Sequence, residues 1–347
     1  MIYIFNQPQT DYSVQSGDRF NASSKAREDI SLIFERNGAK KYNIYIRFAS
    51  RKLMKLYTIA RYFRLILSLR KGDELIVQYP VYRVFVKSFF KVVKIVKGKG
   101  VKLTFIIHDL NYLRGLDRGV SKEDFLRPLY LADLIVAHTP NMRDHLIGEN
   151  IKSPINIIYL FDYLTDDTYR ERSRLLESRD TVVYAGNLKK SAFLKEAVNC
   201  HFTNVRFNIY GYARNVPVFR DGFEYKGAFE PEQTSYIEGG WGLCWDGKSV
   251  DSCEGKWGEY LRYNSPHKLS LYLAAGIPVI VWEESALAPY IVSNKVGIAI
   301  SSLRELDTIL PAITKEEYLD ILDHVMSFSV KIRKGDMTLT ACNMNEH

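Results

Sequence analysis

A histidine and a lysine stand where the sequence predicts the start of a helix. In "NSPHKLSLYLAAGIPVI", residues 264 to 280, His267 and Lys268 fall in the first turn of a helix that Gly276 ends. Unpaired N–H groups and the helix macrodipole already make that end positive, so a cation there is unfavourable by roughly 0.3 to 1 kcal/mol. Two interpretations are open: a solvated lysine that the helix tolerates, or a phosphate or diphosphate bound by Lys268 together with backbone N–H groups.

The flanking residues have the types that a helix start and a buried strand require. Asn264 or Ser265 suits the N-cap, and Pro266 suits the first helical position because its missing N–H costs nothing there. After the helix, "IPVIVW" (277–282) predicts a strand that is buried on both faces, as in a parallel sheet.

Other residues with useful chemistry follow predicted strands. Three strand ends carry them: His108 and Asp109 at one, Asp246 at another, and Gly186 and Asn187, followed by Lys189 and Lys190, at a third. The chain has no G-x-G-x-x-G, no P-loop and no D-x-D carboxylate pair. A dinucleotide dehydrogenase or an NTPase would therefore lack its phosphate cradle. Side chains and helix ends, and not a metal ion, would have to neutralise a diphosphate.

Short β-runs that alternate with helical stretches position these residues. The first six are "MIYIFN", "YNIYIRF", "DELIVQYP", "KLTFIIHD", "DLIVAHT" and "INIIYLF"; after the charged stretch 165–180 come "TVVYAGN", "VRFNIYG", "FEYKG", "GLCWDG", "IPVIVW" and "VGIAI". This alternation predicts two α/β units with parallel, doubly wound sheets that face a cleft, where ligands meet the carboxyl ends of strands. The expected boundaries are a first domain over 1–164, a linker over 165–180, a second domain over 181–324, and a tail over 325–347 that returns toward the first domain.

The composition is that of an ordinary globular protein. The 347 residues, 46% hydrophobic and 25% charged, are enough for two domains. The four cysteines show neither metal-ligand spacing nor the density of a disulfide framework, so we expect reduced thiols in the cytoplasm. The N-terminus reads as a first strand and not as a signal peptide, and no apolar run has the length of a membrane span.

The net charge of +8 is concentrated in two stretches. Residues 51–73 are basic and carry aromatic side chains, and in 84–102 lysines recur at helical spacing, at Lys87, Lys91, Lys94 and Lys97. Two amphipathic helices that cover a sheet explain the fold, and their basic face could also rest on an anionic membrane surface. Nucleic acid is not expected as a partner, because no helix-turn-helix, zinc or RRM-like signature is present.

Four blocks of the chain together resemble bacterial glycosyltransferases with the GT-B fold. They are "IHDLNYLRG" (107–115), "YAGNLKK" (184–190), "YKGAFEPEQ" (225–233) and the long block 242–282. The sequence is similar to O-antigen β-1,6-galactofuranosyltransferases and, more distantly, to streptococcal glucosyltransferases that extend glycans on serine-rich adhesins. The similarity runs over most of the chain and is densest from 184 to 300.

The resemblance implies a UDP-sugar on the C-terminal domain, with its diphosphate at the N-terminus of the helix that Ser265 opens. Lys268 would pair with the phosphates, and Lys190 would stand where relatives carry a donor-binding arginine, keeping the charge but not the bidentate fork. Phe229 would stack on the uracil, although an ordinary core position is the alternative. The full expected donor set is Gly186, Asn187, Lys190, Phe229, Asp246, Asn264, Ser265, His267 and Lys268.

The resemblance places the acceptor and the base on the N-terminal domain. The loop 16–29, with Ser23, Ser24, Lys25 and Arg27, would line the acceptor side; a helix capped by Ser23 or Asn21 is the alternative. Transfer from an α-linked UDP donor to a β-linked product inverts the anomeric carbon and needs a base for the acceptor hydroxyl. Asp109 is the first choice and His108 the second, and a structural cap is the alternative for both.

The predicted activity is thus metal-independent, inverting hexosyl transfer, with UDP-galactofuranose as the expected donor and a lipid-linked glycan of O-antigen or capsule assembly as the acceptor. Expected location is the cytoplasmic side of the membrane, on its surface. Three alternatives stay open: another UDP-hexose such as a glucosyl donor, a non-catalytic glycan- or nucleotide-binding protein of the same fold, and a nucleotide-sugar epimerase. The sequence leaves the oligomeric state open, a homo-oligomer included.

The short tail "DMTLTACNMNEH" departs from the family's crossing helix and predicts a truncated or irregular one.

Overall fold

Strands and helices alternate along the chain, as the sequence predicts. The computed structural model describes residues 1–7, 22–44, 50–81, 86–115, 119–188, 191–212 and 219–344. These ranges hold the strands β1 Ile2–Asn6, β2 Lys40–Asn43, β3 Glu74–Tyr79, β4 Lys102–Ile107, β5 Leu134–Ala137, β6 Ile155–Ile157, β7 Thr181–Ala185, β8 Arg206–Tyr210, β9 Phe223–Gly227, β10 Trp241–Cys244, β11 Val279–Trp282 and β12 Gly297–Ile300. Each of the predicted β-runs contains or overlaps one of these strands.

The helices in the same ranges are α1 Ala22–Arg36, α2 Arg51–Ser68, α3 Val86–Gly98, α4 Lys122–Leu126, α5 Pro140–Gly148, α6 Arg172–Glu177, α7 Phe193–Ala197, α8 Gly255–Glu259, α9 His267–Ala274, α10 Ala288–Ser293, α11 Leu306–Ala312, α12 Lys315–Lys334 and α13 Asp336–Ala341. The chain divides into two units. Ser23–Ile158, the first strand and Thr338–His347 form the N-terminal unit, and Tyr159–Met337 forms the C-terminal unit.

The N-terminal unit has one six-stranded parallel sheet in the order β2-β1-β3-β4-β5-β6. Its inner strands are apolar runs such as "LIVA" in β5, which is buried along its whole length. Helices on both faces of a parallel sheet explain why these strands do not alternate with polar residues. Chain order reverses between β1 and β3, and such a switch point is where doubly wound sheets bind ligands, at the carboxyl ends of the strands.

The C-terminal unit also has one six-stranded parallel sheet, in the order β12-β11-β10-β7-β8-β9. Its switch point lies between β10 and β7. Helix α9 packs directly on this point. A Cβ on Gly242 of β10 would lie 2.1 Å from the Tyr272 ring, so only glycine leaves room for that ring. The Tyr272 hydroxyl accepts a hydrogen bond from Ala185 N (2.8 Å) and donates to Leu243 O (3.3 Å), which ties α9 to both strands.

The end of the chain is regular helix. Helix α12 begins with a capping box, in which Thr314 Oγ1 accepts from Glu317 N and Glu317 Oε2 accepts from Thr314 N. It ends at Gly335, whose φ of 93° requires glycine. Helix α13 follows, and within the N-terminal unit Asn156 donates to Ala341 O at 2.8 Å. The sequence predicted a truncated or irregular helix here. Since "DMTLTA" forms a short regular helix, the irregular alternative is wrong as far as residue 344.

The two basic stretches form α2 and α3, as the sequence predicts. Lys99 Nζ donates to the carbonyls of Ile66 and Leu69 and so holds the end of α2 against the segment after α3. None of the helices that the structure describes combines the length and the apolarity that crossing a bilayer demands.

Candidate active site

The switch point of the C-terminal unit carries a half-buried ion pair. Lys268 Nζ lies 3.0 Å from Asp246 Oδ1, just beyond the end of β10, and 3.3 Å from the carbonyl of Trp245. The lysine side chain is 16% exposed and the aspartate 29%. Lys268 thus has a counter-ion within the protein, which the sequence did not predict, and its ammonium group lies at the strand ends where a ligand is expected.

Tyr184 forms the floor beneath Lys268. The ammonium group lies 4.7 Å from the centre of the Tyr184 ring and 3.5 Å from its hydroxyl. Burial opposes the charge on Lys268, but the Asp246 carboxylate and Tyr184 outweigh it and raise the lysine pKa well above its ordinary value. Lys268 is therefore a permanent cation at neutral pH. We call Tyr184, Asp246 and Lys268 the lysine cluster.

The lysine cluster connects to the turn after β7. Ser191 Oγ donates to Asn187 O at 3.0 Å, so it receives its own hydrogen bond from the Tyr184 hydroxyl. Gly186 N donates to Tyr210 O at 3.1 Å. The structure therefore brings together four of the predicted donor residues: Gly186, Asn187, Asp246 and Lys268.

The start of α9 differs from the prediction by one residue. Pro266, with ψ of 131°, is the N-cap, and the helix begins at His267, so neither Asn264 nor Ser265 caps it. The N-cap Pro266 makes no side-chain hydrogen bond to the first turn, and Leu269 N in that turn donates to Pro266 O at 3.0 Å. The start of a helix is in general a favourable place for an anion. The Oδ1 atom of Asn264 is buried without a hydrogen-bond partner, and Ser265 is buried.

Two predicted donor residues lie in aromatic surroundings. The His267 ring packs on Tyr163 with ring centres 5.0 Å apart, which gives the imidazole a packing role. The half-buried Phe229 follows β9 and meets Tyr210 edge to face at 5.4 Å. Lys189 and Lys190 lie outside the described residues.

In the N-terminal unit, His108 follows β4 and is held by the neighbouring strand. Its Nε2 lies 2.9 Å from Gln78 Oε1. The Gln78 amide nitrogen donates to Arg27 O (2.9 Å) and to Ser31 Oγ (2.8 Å), and a carbonyl can only accept, so the amide orientation is fixed. His108 Nε2 must therefore carry a proton, and the basic nitrogen of the neutral ring is Nδ1.

Asp109 occupies the next position and forms an ion pair with Arg114. The carboxylate side chain is 31% exposed and the guanidinium 20%. Proton uptake by Asp109 would break this ion pair, which weakens the case for it as a base.

The residues predicted to form an acceptor-side loop lie instead in helix α1. Ser23, Ser24, Lys25 and Arg27 all fall within Ala22–Arg36, because "ASSKARED" is rich in good helix formers. The Ser23 side chain lies outside the described residues. Lys25 pairs with Asp29 at 2.7 Å, with both side chains only 6% exposed. Arg27 donates to Gln78 O (2.9 Å) and Pro80 O (2.8 Å), so it supports the strand that orients His108.

Sequence reasoning missed Tyr184, Ser191, Tyr272 and Gln78. Their signals are weak: Gln78 is a polar residue within an apolar strand, and Tyr184 stands just before the predicted Gly186 turn. In the sequence Tyr272 looks like any apolar residue of a helix, because its packing over Gly242 is a contact between distant parts of the chain.

Two six-stranded parallel sheets of doubly wound, Rossmann-like topology are the architecture of GT-B glycosyltransferases. The chain belongs to the glucosyltransferase 3-like family: residues 12–160 match its N-terminal domain and residues 182–344 its C-terminal domain. The resemblance predicted from the sequence is thereby confirmed.

Individual relatives support this family, and a solved structure shares the fold. The chain is 34% identical to the β-1,6-galactofuranosyltransferase WbbI of Escherichia coli K12. The match spans 274 residues, which is 77% of each chain. It is 25% identical to glucosyltransferase 3 of Streptococcus parasanguinis. That match spans 331 residues, which is 94% of this chain and 92% of the relative. Its fold matches Anabaena Alr3699/HepE, crystallised with UDP and glucose, at a TM-score of 0.53 and 11% identity over 98% and 99% of the two chains.

Proposed function

We propose that this chain, a glycosyltransferase of the GT-B type, transfers a β-galactofuranosyl unit from UDP-galactofuranose to a glycan acceptor with inversion at the anomeric carbon. The relative at 34% identity is named for that sugar and linkage, which supports this donor over a glucosyl donor. We further propose that the acceptor is a lipid-linked glycan of surface polysaccharide assembly, reached from the cytoplasmic membrane surface. The observation that carries the proposal is the lysine cluster at the switch point, beside the uncapped start of α9.

The lysine cluster supplies the chemistry that a departing UDP needs. A leaving diphosphate gains negative charge, and a permanent cation at the N-terminus of a helix stabilises that charge. Asp246 fixes the position of Lys268, and its carboxylate competes with the diphosphate for the ammonium group. Asn187 and Asn264 offer further polar groups for the nucleotide, and Phe229 offers a ring face for the base.

In the N-terminal unit, we propose His108 as the base that takes the proton of the acceptor hydroxyl. Gln78 fixes its tautomer so that Nδ1 is basic, the way an orienting group acts in other base-assisted enzymes. Asp109, the first choice from the sequence, would orient the segment after β4 through its ion pair with Arg114.

Chelation is expected to leave transfer unchanged. The charge of the diphosphate is met by Lys268 and the start of α9, and within the described ranges no three His, Cys, Asp or Glu side chains form a metal-binding group. The measurement is the transfer rate after dialysis against EDTA, with and without added Mg²⁺ or Mn²⁺. A complete loss that either metal restores would contradict this account of the site.

A panel of UDP-hexoses tests the proposed activity. We expect saturable binding of UDP-galactofuranose by calorimetry and, with an acceptor, a product that is one hexose heavier by mass spectrometry. UDP-glucose as the better donor would replace the proposed sugar but keep the reaction. Binding without any transfer would favour a glycan- or nucleotide-binding protein, and conversion of the donor without acceptor would favour an epimerase.

A further inference from the structure

Helix α2 presents an apolar face on its outer side. Five large apolar side chains of this helix are each 50% to 65% exposed: Leu53, Leu56, Ile59, Phe63 and Leu67. At 3.6 residues per turn, Leu56, Phe63 and Leu67 lie within about 40° of one another around the helix axis. We call the five residues the outer row.

The inner side of α2 is apolar as well. Met54, Tyr62 and Leu65 are buried and lie on the opposite side of the helix from the outer row. The fold of the N-terminal unit is therefore satisfied by the inner side alone. The outer row is therefore not needed for packing within the unit, and a contiguous exposed apolar patch marks an interaction site.

A cationic rim surrounds the outer row. Exposed Lys52, Lys55 and Arg64 flank it on α2, and no carboxylate in the described part of the chain forms an ion pair with them. Residues 51–72 contain seven Lys and Arg and no Asp or Glu. The adjoining α3 adds exposed Lys91 and Lys94 around Ile95, which is itself half exposed.

We propose that the outer row and its rim are the surface by which this protein docks on an anionic membrane, with α2 lying in the plane of the headgroups. Apolar side chains would enter the boundary between headgroups and acyl chains while the cations meet lipid phosphates. The docking deepens the proposed function, since it would bring a soluble catalytic unit to a lipid-linked acceptor.

The charge pattern selects this partner over a second copy of the chain. A two-fold contact places the same patch on both sides, so the cationic rim would face itself. A membrane with anionic lipids supplies the opposite charge and an apolar layer at once. Since α2 cannot span a bilayer, the helix would lie on the surface.

Vesicle sedimentation tests the proposal. The full chain is mixed with phosphatidylcholine vesicles that contain a quarter phosphatidylglycerol, and with pure phosphatidylcholine vesicles. We expect binding to the anionic vesicles that weakens as salt rises. Changing Leu56, Phe63 and Leu67 together to serine should weaken it at least tenfold, and changing Lys52, Lys55 and Arg64 together to glutamine about a hundredfold.

The serine changes at Ile147 and Val292, which are also half exposed but lie off α2, are the matched control and should leave binding unchanged. Wild-type affinity in the outer-row variant would overturn the proposal. So would a wild-type dimer in light scattering that the same variant converts to a monomer, since a second copy would then cover the row. UDP titration without vesicles reports separately on the proposed function, and we expect it to be identical in all these variants.

Discussion

Replacing His108 by glutamine is expected to slow glycosyl transfer by about 10²- to 10⁴-fold, the usual contribution of a general base. Glutamine can still donate a hydrogen bond to Gln78 Oε1 as His108 Nε2 does, so the contact between the two strand ends is kept while the basic Nδ1 is lost. UDP affinity should not change, because the diphosphate is assigned to the C-terminal unit. The measurements are the transfer rate at saturating donor and calorimetry with UDP.

Asp109→Asn is the companion variant. It keeps the side-chain shape but cannot take a proton, and its amide can no longer form an ion pair with Arg114. We expect a smaller loss than in His108→Gln. A larger loss in Asp109→Asn, with UDP binding intact, would return the role of base to Asp109. If neither variant lost more than a few fold, the segment after β4 would be structural and the base would lie elsewhere.

Lys268→Ala is expected to weaken UDP binding by about 2 kcal/mol or more, which is roughly 30-fold or more. The change removes a cation from the start of α9 and also leaves the Asp246 carboxylate without its partner at 3.0 Å, close to the expected diphosphate. Both effects oppose the binding of an anion. Calorimetry with UDP gives the affinity directly.

Asp246→Asn separates a phosphate-binding role for Lys268 from a structural one. If Lys268 binds the diphosphate, removal of the competing carboxylate should leave UDP affinity equal or tighter. If the ion pair serves only the fold, both variants should lower thermal stability and neither should change UDP affinity. Circular dichroism melts of both variants supply that comparison.

Most of the fold could be predicted from the sequence because each strand is a local signal. Runs such as "TVVYA" and "VIVW" are apolar without alternation, and that pattern is typical of strands buried on both faces. The position of β2 was predicted less accurately. The predicted strand covered 42–48, whereas the described strand covers Lys40–Asn43. Helix starts also shifted, since Pro266 with its extended ψ caps α9 from outside.

The site was harder to predict because its key contacts are not local. Lys268 and Asp246 are both visible in the sequence, but only the packing of Tyr272 over Gly242 brings α9 to the end of β10 and pairs them. The same limit holds for α2: its apolar residues predict a helix, yet an apolar pattern on both sides cannot tell which side faces outward. The preference for Asp109 over His108 likewise could not account for Arg114 and Gln78, which tertiary structure supplies.

The most direct test of glycosyl transfer is product analysis with UDP-galactofuranose and a glycan acceptor, by UDP quantification and by NMR of the new linkage. We expect one UDP released for each hexose transferred, a β-linked product, and neither UDP nor free sugar released when acceptor is left out. An α-linked product, or consumption of the donor at the same rate without acceptor, would contradict it.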